Sequence, residues 1–138
     1  MTAVALEEAH RLLRISKTDA IACAALLAAP GVRFANAAFH GQQAVEKALK
    51  AVLTVLGCNM GRTHNLVALS EQLVQAGQAT PEVGDLLSLL NPYAVTLRYD
   101  DIEVELMSPT ALLGVVEVMI VWADKSVATI ADDAARNI

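Results

Sequence analysis

The residues best suited to handling a charged ligand crowd one stretch of the chain. Residues 33–64 carry Arg33, Lys47, Lys50 and Arg62 against Glu46 alone, a local charge of +3 in a chain whose formal net charge is −5. Residues 65–138 set eleven acids against Arg98, Lys125 and Arg136, a local charge of −8, and residues 1–32 balance. A chain that is acidic overall is a poor general binder of nucleic acid, because neutralisation of backbone phosphates dominates that affinity. A confined basic patch suits a nucleotide or a short RNA. Other chemistries find no support. His10, His40 and His64 do not stand at ligand spacing with one another or with a cysteine, so no metal is expected. The seven glycines are scattered rather than gathered in a phosphate-cradling loop, and no cofactor is implied. No nucleophile–base arrangement emerges from the spacing.

The elements that must position this patch are helical. The first helix is expected from about Ala3 to Ala29, stopped by Pro30-Gly31; the capping-box spacing of Ser16 and Asp19 allows a break near Lys17 as an alternative. The second runs from about Val32 to Leu56 and stops at Gly57. Along it Ala35, Ala38, Gln42, Val45, Leu49, Val52 and Leu56 recur at alternating spacings of three and four, a stripe that buries one face. Ala37, Gly41, Ala44, Ala48 and Ala51 form a flanking stripe of small side chains that lets another backbone approach. The remaining sector, about 120° wide, is polar and holds Arg33, Asn36, His40, Gln43, Lys47, Lys50 and Thr54. Within the apolar stripe, Gln42 is expected to satisfy a buried carbonyl.

A short third helix is expected after Thr63 or Asn65, with Leu66, Leu69 and Leu73 buried, up to Gly77. A fourth is predicted from Thr80-Pro81 through the leucines at 86–90, kinked or ended by Pro92. Residues 98–106 read as an acidic loop, since one short strand would have no partner. Ser108-Pro109 opens a fifth helix that is apolar nearly all round, with Glu117 the lone charge between Ala111 and Ala123.

Composition sets the wider frame. With 138 residues, 55% of them hydrophobic and 18% charged, the chain fits one all-α domain, a bundle of about five antiparallel helices over residues 1–138. The longest uncharged stretch, Ala20 to Val32, contains Pro30 and Gly31 and is too short to span a membrane. Charges throughout the first twenty residues argue against a signal peptide. Cys23 and Cys58 read as reduced, buried thiols, as in a cytoplasmic protein. So much apolar surface calls for more cover than five amphipathic helices give. Either the fifth helix or the small-residue stripe of the second is expected to be buried in a homodimer; a single central helix in a monomer is the alternative.

The run Gln42-Gln43-Ala44-Val45-Glu46-Lys47-Ala48-Leu49-Lys50, then Thr63-His64-Asn65-Leu66, then Arg98-Tyr99, resembles the HEPN domain family over nearly the whole chain. The resemblance implies a helical bundle, usually dimeric. It implies a non-catalytic module that binds a nucleotide or partners a small nucleotidyltransferase in a toxin–antitoxin-like pair. Positions carried over for nucleotide or phosphate binding are Gln43, Lys47, Lys50, Arg62, His64, Arg98 and Tyr99, with Arg98 and Tyr99 gripping a phosphate and stacking on a base. Another branch of the family consists of metal-independent endoribonucleases that use an arginine followed by a histidine. Here only Arg33 and His40 match, with His40 as general base and Arg33 holding the phosphate of an RNA. That match lies early in the second helix rather than in a later one, and Phe34 stands where a polar residue is usual.

Overall fold

The computed structural model describes residues 1–97 and 103–137. Helix α1 spans Ala3–Ala28, α2 Phe34–Val55, α3 Leu66–Gln75, α4 Leu86–Leu90 and α5 Pro109–Arg136; a 3-10 turn, Asn91–Ala94, follows α4 directly. Among the described residues there is no strand. No described helix is long and apolar enough to cross a membrane.

The signals at the helix ends do most of the shaping. The Thr2 hydroxyl accepts from the Ala5 amide at 3.0 Å and starts α1. Gly31, at φ 76°, turns the chain back into α2. At the far end of α2, Gly57 is left-handed at φ 73°. There the Cys58 amide returns to Leu53 O and the Gly57 amide to Thr54 O, closing the exposed carbonyls of the last turn. Ser108 caps α5 through the Ala111 amide at 3.1 Å, with Pro109 in the first helical position.

Helix α2 is the centre of the bundle and packs against α1, α3, α5 and the 3-10 turn. Its start lies at the end of α1, and its last turn lies beside Thr2 and Ala5. Helix α5 in turn brings Ala131 and Ala134 beside Ala3 and Leu6, so both neighbours run antiparallel to α1. Ala35, Ala38, Val45, Leu49 and Val52 are buried, and so are Ala37, Gly41, Ala44, Ala48 and Ala51. The small-residue stripe is therefore spent inside the chain. At Gly41 three helices meet so closely that a Cβ would lie 2.7 Å from Leu112 Cδ1 and 3.4 Å from Cys23 Sγ.

Three expectations need correction. Helix α1 is unbroken at Lys17: Ser16 is buried and donates to Ala44 O at 2.6 Å, while Asp19 faces His40, so both polar groups serve α2 rather than a cap. The fourth helix starts at Leu86, not at Thr80-Pro81. Gly84 sits at φ 61°, a left-handed conformation that a helix cannot pass through, and Ala79 O accepts from Trp122 Nε1 at 2.9 Å, which holds this connection against α5. The alternative of α5 as a single central helix within a monomer is not met: α2 takes the centre, and on α5 Leu113, Val118 and Val121 remain 40%, 45% and 46% exposed. Cys23 is buried as expected, its thiol pushed up to about 11 by burial, but Cys58 is only half-buried.

Residues 103–107 form an irregular connection pinned to the core by Tyr93. Its buried hydroxyl donates to Val104 O at 2.6 Å and accepts from Leu106 N at 3.0 Å, and its ring meets Phe34 edge-on at 5.6 Å. Tyr93→Phe keeps the ring contact and strands both backbone groups. It should cost about 2 kcal/mol in urea unfolding, against about zero if water takes the hydroxyl's place.

A buried carboxylate that organises the basic face of α2

Glu46 lies one residue beyond the apolar stripe and four beyond Gln42, and both side chains are fully buried. An isolated buried carboxylate is costly, so its partners decide whether the site stands. Oε1 accepts from His64 Nδ1 at 3.0 Å and from Gln42 Nε2 at 3.2 Å. Oε2 accepts from Lys50 Nζ at 3.1 Å and lies 3.5 Å from Lys47 Nζ. Burial pushes the Glu46 carboxyl up; the hydrogen bonds from His64 and Gln42 and the charges of Lys47 and Lys50 outweigh it and hold it below its ordinary value.

The network extends outward. Gln42 also donates to His64 O at 3.2 Å, a part-buried carbonyl rather than the buried one expected from its place in the stripe, and accepts from Gln43 Nε2 at 2.6 Å. Gln43 Oε1 then accepts from Lys47 Nζ at 2.9 Å. The His64 loop is fixed from its other side. Asn65 caps α3 by accepting from the Val67 and Ala68 amides, and Asn91 accepts from the Leu66 amide at 2.8 Å while donating to Asn65 Oδ1 at 3.0 Å. The 3-10 turn thus sets the position of a residue that reaches α2.

The outcome is a gradient of exposure across one carboxylate. The Glu46 side chain is 1% exposed and that of His64 is 64% exposed. The Lys47 and Lys50 side chains are 20% and 16% exposed. A carboxylate only accepts, so His64 Nδ1 carries the hydrogen of this bond. Two ammonium groups and one carboxylate leave a net charge of +1 before His64 is counted. Their stems are held in place, so less side-chain entropy remains to be lost when an anion arrives. The arrangement suits binding of a phosphate-sized anion at the surface.

Of the residues carried over from the sequence, Gln43, Lys47, Lys50 and His64 are joined in this one network. Arg62 is exposed in the turn two residues before His64. Arg98 and Tyr99 lie outside the described residues. Arg33 and His40 belong elsewhere: Arg33 Nε lies 3.5 Å from Glu103 Oε2, and His40 Nδ1 lies 3.1 Å from Asp19 Oδ1. Glu103 also accepts from the Phe34 amide at 2.7 Å and so caps α2, whose N-cap residue, Arg33, does not cap the helix with its own side chain. The cleft beside Arg33 is lined by Glu103 and Glu105, a setting that repels phosphate.

Sequence reasoning took Glu46 as the lone acid among the bases of residues 33–64 and overlooked its burial and its bond to His64. The signal was an acid four residues after a glutamine of the apolar stripe. Glu103 as a cap carried no signal, since 69 residues separate it from Phe34.

A central helix flanked by two long neighbours, α1 antiparallel to it and α5 parallel, with a polar network at the junction of its second half and the following helix, defines an all-α bundle built to present one basic face. The HEPN domain model matches residues 7–137, nearly the full length, and the chain belongs to the HEPN domain family. No curated protein and no solved structure matches the chain.

Proposed function

We propose that the chain is a non-catalytic binding module. In this reading it is a homodimer whose Gln43, Lys47, Lys50, Arg62 and His64 face takes the phosphates of a nucleotide, and it serves as the HEPN component of a nucleotidyltransferase/HEPN toxin–antitoxin-like pair. Arg98 and Tyr99 complete that face in the same reading. The observation that carries it is the Glu46 network, which holds Lys47 and Lys50 of α2 and His64 of the loop before α3 together at the surface. The separate carboxylate partners of Arg33 and His40 favour this over an endoribonuclease, because each of those two side chains is engaged by an acid.

Titration with ATP, read by calorimetry and by thermal shift, tests it. Binding should weaken at least tenfold in the Lys47→Ala, Lys50→Ala double variant, since each lost charged hydrogen bond is worth about 1.5–3 kcal/mol. Circular dichroism shows whether that variant is folded. If neither ATP nor a co-expressed small nucleotidyltransferase binds the folded wild-type chain, the reading fails. RNA cleavage in EDTA that disappears in His40→Ala would install the ribonuclease in its place.

A further inference from the structure

Helix α5 leaves an uncovered face that is complementary to itself. At 100° per residue, Thr110, Gly114, Glu117, Val118, Lys125 and Ala128 all fall within about 60° of Val121, and all are exposed. The buried residues Leu112, Met119 and Ala123 lie on the opposite side. Of the large hydrophobics left exposed among the described residues, Leu113, Val118 and Val121 share this helix, whereas the others are dispersed over Met1, α1, α3 and the connection after the 3-10 turn. Alongside runs a shallow apolar groove between α1 and α5, lined by Ala20, Leu113, Val116, Glu117, Ile120 and Val121. A Cβ at Gly114 would meet nothing within 4 Å, so the face is open there to the backbone of another helix.

The charges on this face are what select the occupant. Glu117 and Lys125 stand four residues to either side of Val121. We propose that a second copy of this chain packs here, its α5 antiparallel to the first about a two-fold axis at Val121. Each Glu117 then lies opposite the partner's Lys125, about 6 Å along the helix from the axis. The same register sets Gly114 against the partner's Ala128, two small residues that let the helices approach, and brings Val121 and Val118 to the centre. A parallel pair would instead stack Glu117 on Glu117 and Lys125 on Lys125. The neighbouring Asp124 does not compete for Lys125, because it is paired with Lys17 of α1 at 3.0 Å. The apolar seam supplies affinity and the two ion pairs set direction and register.

This interface rests on the homodimer reading above and adds the face and the register. Sedimentation equilibrium on the full chain separates the two claims. Glu117→Lys and Lys125→Glu should each weaken the dimer at least about tenfold, because either one places like charges opposite each other twice. Combining both reversals should restore the wild-type constant to within about threefold. Both positions are on the surface, and circular dichroism confirms an unchanged fold. A wild-type dimer indifferent to the single reversals overturns the α5 interface and leaves the homodimer standing on another face. Single reversals that weaken the dimer without rescue in the double variant overturn the pairing of Glu117 with Lys125. A monomeric wild type overturns both the interface and the homodimer.

Discussion

Replacing Glu46 with alanine should lower the melting temperature by about 10 °C or more. The side chain is wholly buried, and removing one member of a buried ionic network costs about 3–5 kcal/mol because the remaining polar groups lose their partner. Lys47 and Lys50 retain some exposure and can swing into water, which places the cost near the lower end, about 3 kcal/mol. In a domain of this size each kcal/mol moves the midpoint by about 3–5 °C. Glu46→Gln keeps the volume and most of the hydrogen bonding, and it should lose about half as much at neutral pH. Its distinguishing mark is pH dependence. Glu46 is held below its usual 4.5 in the folded chain despite burial, so its charged form favours folding. That contribution is complete above the unfolded value of about 4.5 and is lost as pH falls through the lower folded value. The stability gap between wild type and Glu46→Gln, from urea unfolding, should be flat from pH 7 to about 5 and narrow below that. A gap that stays constant down to pH 3 would mean that the carboxylate charge is not what holds the network.

Gly41→Val should be nearly as damaging. A single added Cβ already falls 2.7 Å from Leu112 Cδ1, with Cys23 Sγ and Val116 Cγ2 both at 3.4 Å. Leu112 is itself fully buried, so its terminal methyl can turn aside for one added carbon but has no open space in which to give way to three. Alanine at this position gains helix propensity of up to about 1 kcal/mol, which largely offsets the movement of one side chain. Valine adds two more carbons at the place where α1, α2 and α5 converge, and overpacking of that kind costs about 3 kcal/mol. Calorimetry of the two variants should therefore show alanine close to wild type and valine about 10 °C lower. Equal midpoints for all three would mean that the helices separate there without cost.

These two positions also show what the amino-acid pattern discloses. Gly41 belongs to a stripe of small residues whose close approach to another backbone follows from spacing alone, and that approach is found. Its neighbour was open, and the structure supplies α1 and α5 of the same chain rather than a second copy. Local punctuation was legible in the same way: Gly57 stops α2, Asn65 caps α3 and Ser108-Pro109 opens α5, because each acts within a few residues of itself. Thr80-Pro81 misled because its signal is equally local, while Gly84 and the bond from Trp122 decide the matter from outside. The site divides along the same line. Lys47 and Lys50 on the polar sector are readable from the period of α2. The burial of Glu46 depends on His64, 18 residues on, and on Asn91 bracing the start of α3 from still farther away. No periodicity encodes those meetings.

The bond between Trp122 and Ala79 has a spectroscopic consequence. The chain has one tryptophan, so its intrinsic tryptophan fluorescence comes from the seam between α5 and the connection that follows α3. The emission reports whether that connection is seated, through an indole N–H that is either bound to a carbonyl or released to water. It says little about the α1–α2 hairpin, whose state has to be read from the helical signal in the far ultraviolet. The two optical channels therefore watch different parts of one bundle, and agreement between their transitions is a direct measure of how cooperatively the connection and the hairpin melt.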